Sequence, residues 1–280
     1  MTRHVEVMEL VARLKAAEQA FVLATVVRTV SVTAAKAGAK AIIRPDGTIA
    51  AGWIGGGCAR GAVLKAAREA LADGEPRMVS VLPENLLAEL GVKPGENRHG
   101  VRFAQNMCPS KGTMDIFVEP VLPHPSLIIL GASPVAMSLA VQARQLGYHV
   151  TVAVPVGDLP AAAPDADMLI DGYQLGQLNE ARRFIVVSTQ GKGDEAALQA
   201  AVSIDAAYHA FVGSRRKMAA LRAKLIAEGI DASAIDRVKA PAGLDLGAIT
   251  PEEIAMSILA EITIERRRGQ RATTSTIANP

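Results

Sequence analysis

Apolar residues first recur at helical spacing: Val7, Leu10, Val11 and Leu14 share one face and predict an opening amphipathic helix. Residues 21–29 are apolar and β-branched and read as a buried strand. Residues 40–44 and 48–51 flank Pro45-Asp46-Gly47, the pattern of a hairpin. A second helical pattern runs from the glycines at 55–57 to about Asp73, with Gly74 placed to cap it and Pro76 to prevent continuation. Residues 77–82 predict another strand. Residues 83–112, rich in Gly, Pro and Asn, predict a long loop. Residues 113–119 alternate, with Met114, Ile116 and Val118 on one face.

Three prolines between 120 and 125 then predict a stiff, extended connection. Beyond it the pattern changes to alternating strand and helix, the mark of a parallel sheet. Strands are predicted at 127–130, 149–154, 168–170, 184–188 and 208–212, and helices at 134–146, 194–203 and 215–228. A last helix begins at Pro251 and runs to about Arg268. Thr250 is its N-cap and Glu253 completes a capping box. The predicted class is α/β, in four segments. A small N-terminal α/β domain covers 1–120 and a linker 121–126. A Rossmann-like parallel-sheet domain covers 127–268, and a flexible tail 269–280.

Composition narrows the function without naming it. A formal net charge of +2 is too small to argue for nucleic acid, and 3% aromatics provide no platform for stacked bases. No apolar leader precedes the first helix, and no run is long enough to span a bilayer. The expectation is a cytoplasmic protein. Two widely spaced cysteines suggest neither a disulfide framework nor a zinc site.

Candidate chemistry concentrates in three turns. Gly55-Gly56-Gly57-Cys58-Ala59-Arg60 runs directly into a helix. Bare N–H groups at such a start hold anions, and a thiol there loses its proton most easily. Arg60 adds a cation, and Cys108 is the other thiol. The second turn, Gly131-Ala132-Ser133-Pro134, stands between a strand and a helix as a dinucleotide fingerprint would. That match is degraded. Ser133 replaces the second glycine, and Val154 stands where an acid should hold a ribose. Asp158 lies slightly too far along. NAD(P) binding is therefore not expected, and a turn that only packs helix on sheet competes with it. The third turn, Gly213-Ser214-Arg215-Arg216-Lys217, offers an N-cap with Arg215 and Lys217 as phosphate-binding cations.

Several blocks in one order resemble the XdhC/CoxI proteins that serve molybdenum hydroxylases. They are Gly38-Ala39-Lys40, Asp46-Gly47, Gly55-Gly56-Gly57-Cys58 and Phe117-Val118-Glu119-Pro120 in the first half. In the second half they are Gly213–Lys217, Ala240-Pro241-Ala242-Gly243-Leu244-Asp245-Leu246-Gly247-Ala248, Thr250-Pro251-Glu252-Glu253-Ile254-Ala255 and Ile258-Leu259-Ala260-Glu261-Ile262. The resemblance implies an accessory factor, commonly a homodimer. It would bind the molybdenum cofactor, as molybdopterin or its nucleotide form, and protect, sulfurate or deliver it to a client. The client would be a xanthine dehydrogenase or carbon monoxide dehydrogenase.

Arg60 replaces a glutamate common in the family. Cys108-Pro109-Ser110 replaces Cys-Gly-Gly, and Thr189-Gln190-Gly191 replaces Thr-His-Asp, with Asp194 further on. Thiolate is the softest protein ligand for molybdenum or its terminal sulfur, so Cys58 is the expected contact. Gly55 to Gly57, Gly131, Ala132, Ser133, Thr189, Gln190 and Gly213 to Lys217 are the expected cradle for pterin and phosphate. Two other readings stay open: an NAD(P)-dependent Rossmann oxidoreductase, and a nucleotide-binding assembly protein without chemistry.

Overall fold

The structure is a computed structural model that describes residues 2–109, 111–159, 165–176 and 182–267. The chain forms two compact units, Met1–Pro123 and His124–Pro280. The predicted tail, Arg268 included, lies outside the described residues.

The first unit contains α1 (Thr2–Ala16), β1 (Phe21–Val30), β2 (Lys40–Ile43), β3 (Ile49–Gly52), α2 (Gly57–Asp73) and β4 (Arg77–Leu82). It continues with α3 (Glu84–Glu89), β5 (Asn97–Arg98), β6 (Val101–Gln105) and β7 (Thr113–Val121). Its seven strands make one mixed sheet in the order β3-β2-β1-β7-β4-β6-β5, with β4 and β6 parallel and the other neighbours antiparallel. Alternation in β1 sends Val22, Ala24 and Val26 to the face covered by α2, and Phe21 to the face covered by α1. The buried stripe of α2 is Ala59, Val63, Ala66, Ala67 and Ala70, so a nearly bare helix face rests on the sheet.

The predicted loop at 83–112 holds three elements instead. Only Val101 and Phe103 alternate as a strand should, and β6 forms because β4 pairs with it from Met78↔Val101 to Leu82↔Gln105. Phe103 packs with Leu82, Leu87 and Val92, while Arg102 reaches Glu69 on α2. The proline-rich connection is also shorter than its composition suggests. Pro120 and Val121 pair with Val22 and Phe21 inside β7.

The second unit contains β8 (Ser126–Leu130), α4 (Pro134–Gln145), β9 (His149–Val154), β10 (Met168–Asp171) and β11 (Arg183–Val187). Then follow α5 (Asp194–Val202), β12 (Tyr208–Phe211), α6 (Arg215–Ala227), α7 (Ala232–Asp236), β13 (Val238–Lys239) and α8 (Pro251–Arg267). The sheet is parallel throughout, in the order β10-β9-β8-β11-β12-β13. Leu127 and Ile129 face the layer of α4 and α8, while Ile128 and Leu130 face α5 and α6. Strands covered on both sides read as continuous apolar runs, which is why β8 was legible. The strand order reverses direction between β8 and β11. Ligands of open parallel sheets bind at such a point, beyond the carboxyl ends of the strands.

Candidate functional site

In the first unit, α2 starts at the glycine turn. Gly56 is its N-cap and no side chain caps it. The first helical bond is Arg60 N to Gly56 O, 3.0 Å. Cys58 is therefore in the first turn, where backbone N–H groups have no intrahelical acceptor. Cys108 lies on the loop after β6, and Asn106 shapes that loop. The Asn106 backbone N donates to Leu82 O (2.7 Å), its Nδ2 donates to Gly112 O (2.6 Å), and its Oδ1 accepts from Cys108 N (3.0 Å).

Cys58 and Cys108 consequently line one cavity of about 70 Å³, with Gly56, Thr33, Asn106 and Met114. An open groove of about 620 Å³ shares Asn106 and Cys108 with that cavity and adds Glu84, Asn85, Gln105 and Lys111. Sites for small organic ligands occupy roughly 300–1,000 Å³. The groove has that volume and the thiol cavity does not. Arg60 is exposed and lies outside the cavity lining, as do Gly55 and Gly57.

The second set of predicted residues meets at the switch point of the parallel sheet. Gly131 has φ +119°, and a Cβ there would sit 2.4 Å from Ser188 O, so only glycine lets β8 turn this close to β11. The hydroxyl of Ser133 caps α4 by accepting from Ala136 N (3.1 Å) and lies 2.6 Å from Ser188 Oγ. It is thus a stitch between the first turn of α4 and the end of β11. Thr189, buried, donates to the carboxylate of Asp194, whose other oxygen is 2.6 Å from Lys217 Nζ. Burial pushes the Asp194 carboxyl up, but hydrogen bonds from Lys217 and Thr189 and the Lys217 charge hold it below the usual range. Lys217 also lies 5.3 Å from the centre of the Phe211 ring. Ser214 caps α6 by accepting from Lys217 N (3.2 Å), as its sequence context predicts. Arg215 and Gln190 are exposed.

Three features of the second unit have no counterpart among the sequence-predicted roles. Asp158 pairs with Lys192 at 3.4 Å. Tyr173 packs against Gly193, and burial, then the charges of Asp194 and Asp158, push its hydroxyl up to about 12. Glu261, buried on α8, accepts from Tyr208 Oη (2.5 Å) and Gly243 N (2.9 Å) and pairs with Lys239. That carboxylate anchors the Ala240–Ala248 block to the last helix. In the first unit, Asn106 was also missed. Its signal was local: an Asn two residues before Cys108 is an Asx-turn former.

A mixed-sheet unit carrying a cavity lined by two cysteines, followed in the chain by a parallel-sheet Rossmann-like unit, defines a two-part α/β protein. The family comparisons agree with both parts. Residues 14–81 match the model described as the XdhC and CoxI family, and residues 127–262 match the XdhC Rossmann domain. The chain belongs to the XdhC/CoxI family.

It is 29% identical over 236 residues to "Uncharacterized protein YqeB" of Escherichia coli (strain K12), covering 80% of this chain and 40% of that protein. It is 31% identical over 163 residues to a probable xanthine dehydrogenase subunit of Bacillus subtilis (strain 168), covering 56% and 47%. The chain thus spans less than half the length of these curated relatives. A solved structure titled as a xanthine dehydrogenase from Bacillus halodurans aligns over 95% of this chain and 97% of its own, at 20% identity and a TM-score of 0.46. Among the described residues, no helix is long and apolar enough to cross a membrane.

Proposed function

We propose that this chain is an accessory factor that carries the molybdenum cofactor, as molybdopterin or its nucleotide form, for a molybdenum hydroxylase. The observation that supports this most is the convergence of Cys58 and Cys108 on one cavity that shares lining residues with a ligand-sized groove. The cofactor is cargo here. Its soft end, molybdenum and terminal sulfur, matches thiolate ligands. The pterin and phosphate match the groove, where Asn85 and Gln105 offer amide donors and acceptors and Lys111 a cation. Glu84 offers an acceptor for ring N–H groups. The client is of the kind named for the Bacillus subtilis relative, a xanthine dehydrogenase, or a carbon monoxide dehydrogenase. The protein protects the sulfurated cargo and hands it on, and it works as a homodimer in the cytoplasm.

Two observations weigh against the competing readings. The Ser133 hydroxyl is engaged by Ser188 and the α4 cap at the place where a dinucleotide pyrophosphate would approach. The Lys217 cation is paired with Asp194, so the turn at Gly213 presents less free charge to a phosphate than its sequence suggests. Anaerobic titration of isolated cofactor tests the groove: Lys111→Ala should weaken binding about tenfold through loss of one charge-assisted contact. Unchanged affinity would remove the groove from the account.

A further inference from the structure

Three sulfur-bearing side chains line the cavity of the first unit, each from a different element: Cys58 from α2, Cys108 from the loop after β6, and Met114 from β7. Met114 is 6% exposed, and its thioether packs at the glycine turn that starts α2. A Cβ on Gly55 would lie 3.1 Å from Met114 Cε and 3.7 Å from its sulfur. Both cysteines are free. Ala59, Val81 and Ala34 supply apolar wall. None of the residues that line it carries a carboxylate or an imidazole.

We infer that this cavity binds a single Cu(I) ion through the thiolates of Cys58 and Cys108, with the Met114 thioether as a third, weaker ligand. The donor set decides the metal. Mg²⁺ and Ca²⁺ require oxygen ligands, and the cavity has no carboxylate to offer. Zinc takes four ligands from Cys, His and carboxylates in structural sites. Among the described residues no cluster of three or more His, Cys, Asp or Glu exists to provide them. Two thiolates and a thioether are the soft set that Cu(I) prefers.

A cavity of about 70 Å³ exceeds the roughly 10–15 Å³ a single water needs and is far below an organic ligand site, so it admits an ion, and the sulfur side chains close onto that ion as it binds. Cys108 is exposed, which gives the ion an entry path. Binding is not a redox step. Copper enters and remains as Cu(I), and the two thiols release their protons to solvent. Cu(I) and the molybdenum end of the cofactor would compete for the same two thiolates, so a given chain holds one or the other; the copper claim rests on the donor set and not on the cofactor reading.

The test uses the reduced full chain, without thiol reductants, and Cu(I) supplied anaerobically as its bicinchoninate complex. The expected result is one copper per chain, withdrawn from the chelator, with a first shell of sulfur only by X-ray absorption. Cys58→Ser and Cys108→Ser should each weaken retention by about 100-fold or more, and the near-isosteric Met114→Leu by roughly tenfold. A second readout needs no variant. One equivalent of Cu(I) should protect both cysteines of the wild-type chain from alkylation together, read by peptide mass spectrometry. Protection of one thiol only, or a single Ser variant that holds copper as tightly as wild type, overturns the site. Wild-type copper lost to the chelator as readily as from the double Ser variant overturns it too. Cofactor retention is read independently, so failure of one claim does not mimic failure of the other.

Discussion

Cys58 and Cys108, far apart in sequence, line the same cavity because Asn106 folds the loop after β6 back toward the first turn of α2. A short bifunctional thiol reagent should therefore join them within one chain. Peptide mapping should find the Cys58–Cys108 crosslink in the wild type. Asn106→Ala, which frees the Cys108 backbone N–H and the Gly112 carbonyl, should reduce its yield several-fold. Crosslinks only between chains would show that the thiols do not share a cavity.

At the crest of the parallel sheet, Lys217 neutralises a carboxylate that is otherwise buried. Lys217→Met should destabilise the second unit by about 1–3 kcal/mol in urea, because Asp194 loses its cation. The value falls short of a fully buried pair since the Lys217 side chain is 37% exposed. The Asp194 carboxyl is held below its ordinary value, so its contribution is present above the unfolded carboxylate range. It is lost as pH falls through the lower folded value. Asp194→Asn should flatten that acid-side loss. An unchanged acid limb would contradict the pairing.

The anchored block after β13 makes a sharper contrast between two glycines. Gly243 has φ +91°, and a Cβ there would sit 2.3 Å from Ser257 Oγ and 3.1 Å from Ile258 N. Gly247 has φ +71° with nothing within 4 Å of such a Cβ. Gly247→Ala should cost about 1 kcal/mol from conformation alone. Gly243→Ala should cost at least about 2 kcal/mol, because strain and a clash with the α8 backbone combine. Equal losses in chemical denaturation would show that the block is not docked as described.

Legibility followed local pattern. The parallel strands were readable because β8 and β11 are nearly continuous apolar runs and β9 is rich in β-branched residues, and the cap of α6 because Ser214 directly precedes a helical stretch. β6 was not, because two apolar residues make no pattern without β4 beside them. At the sites, sequence could nominate Cys58 and Cys108 separately, but their shared cavity depends on Asn106 and on strand pairing. Lys217 read as a free cation because nothing local reveals that Asp194, on another helix, faces it. Glu261 looked like one more charge on α8, although it is buried against Tyr208 and Gly243.

Burial also holds the imidazole of His209 below its ordinary pKa, while its Nε2 donates to Ile204 O at 3.0 Å. The folded chain thus keeps His209 neutral where the unfolded chain is protonated. Stability is full above about pH 6.5 and falls below it until the folded value is reached, by up to about 1.4 kcal/mol per pH unit. His209→Gln keeps a donor for Ile204 and should reduce the slope below about pH 6.5. A slope identical to wild type would assign the loss to other groups.

The claim that the thiol cavity and its groove handle the molybdenum cofactor is tested most directly by what the protein carries. The full chain should be purified anaerobically from cells making the cofactor, as wild type, Cys58→Ala and Cys108→Ala. Bound molybdenum and pterin are then measured by mass spectrometry. The wild type should retain both in near-equal amounts, and Cys58→Ala should retain about tenfold less. Wild-type protein that carries neither, or a Cys58→Ala variant that retains as much sulfurated cofactor, would contradict the account.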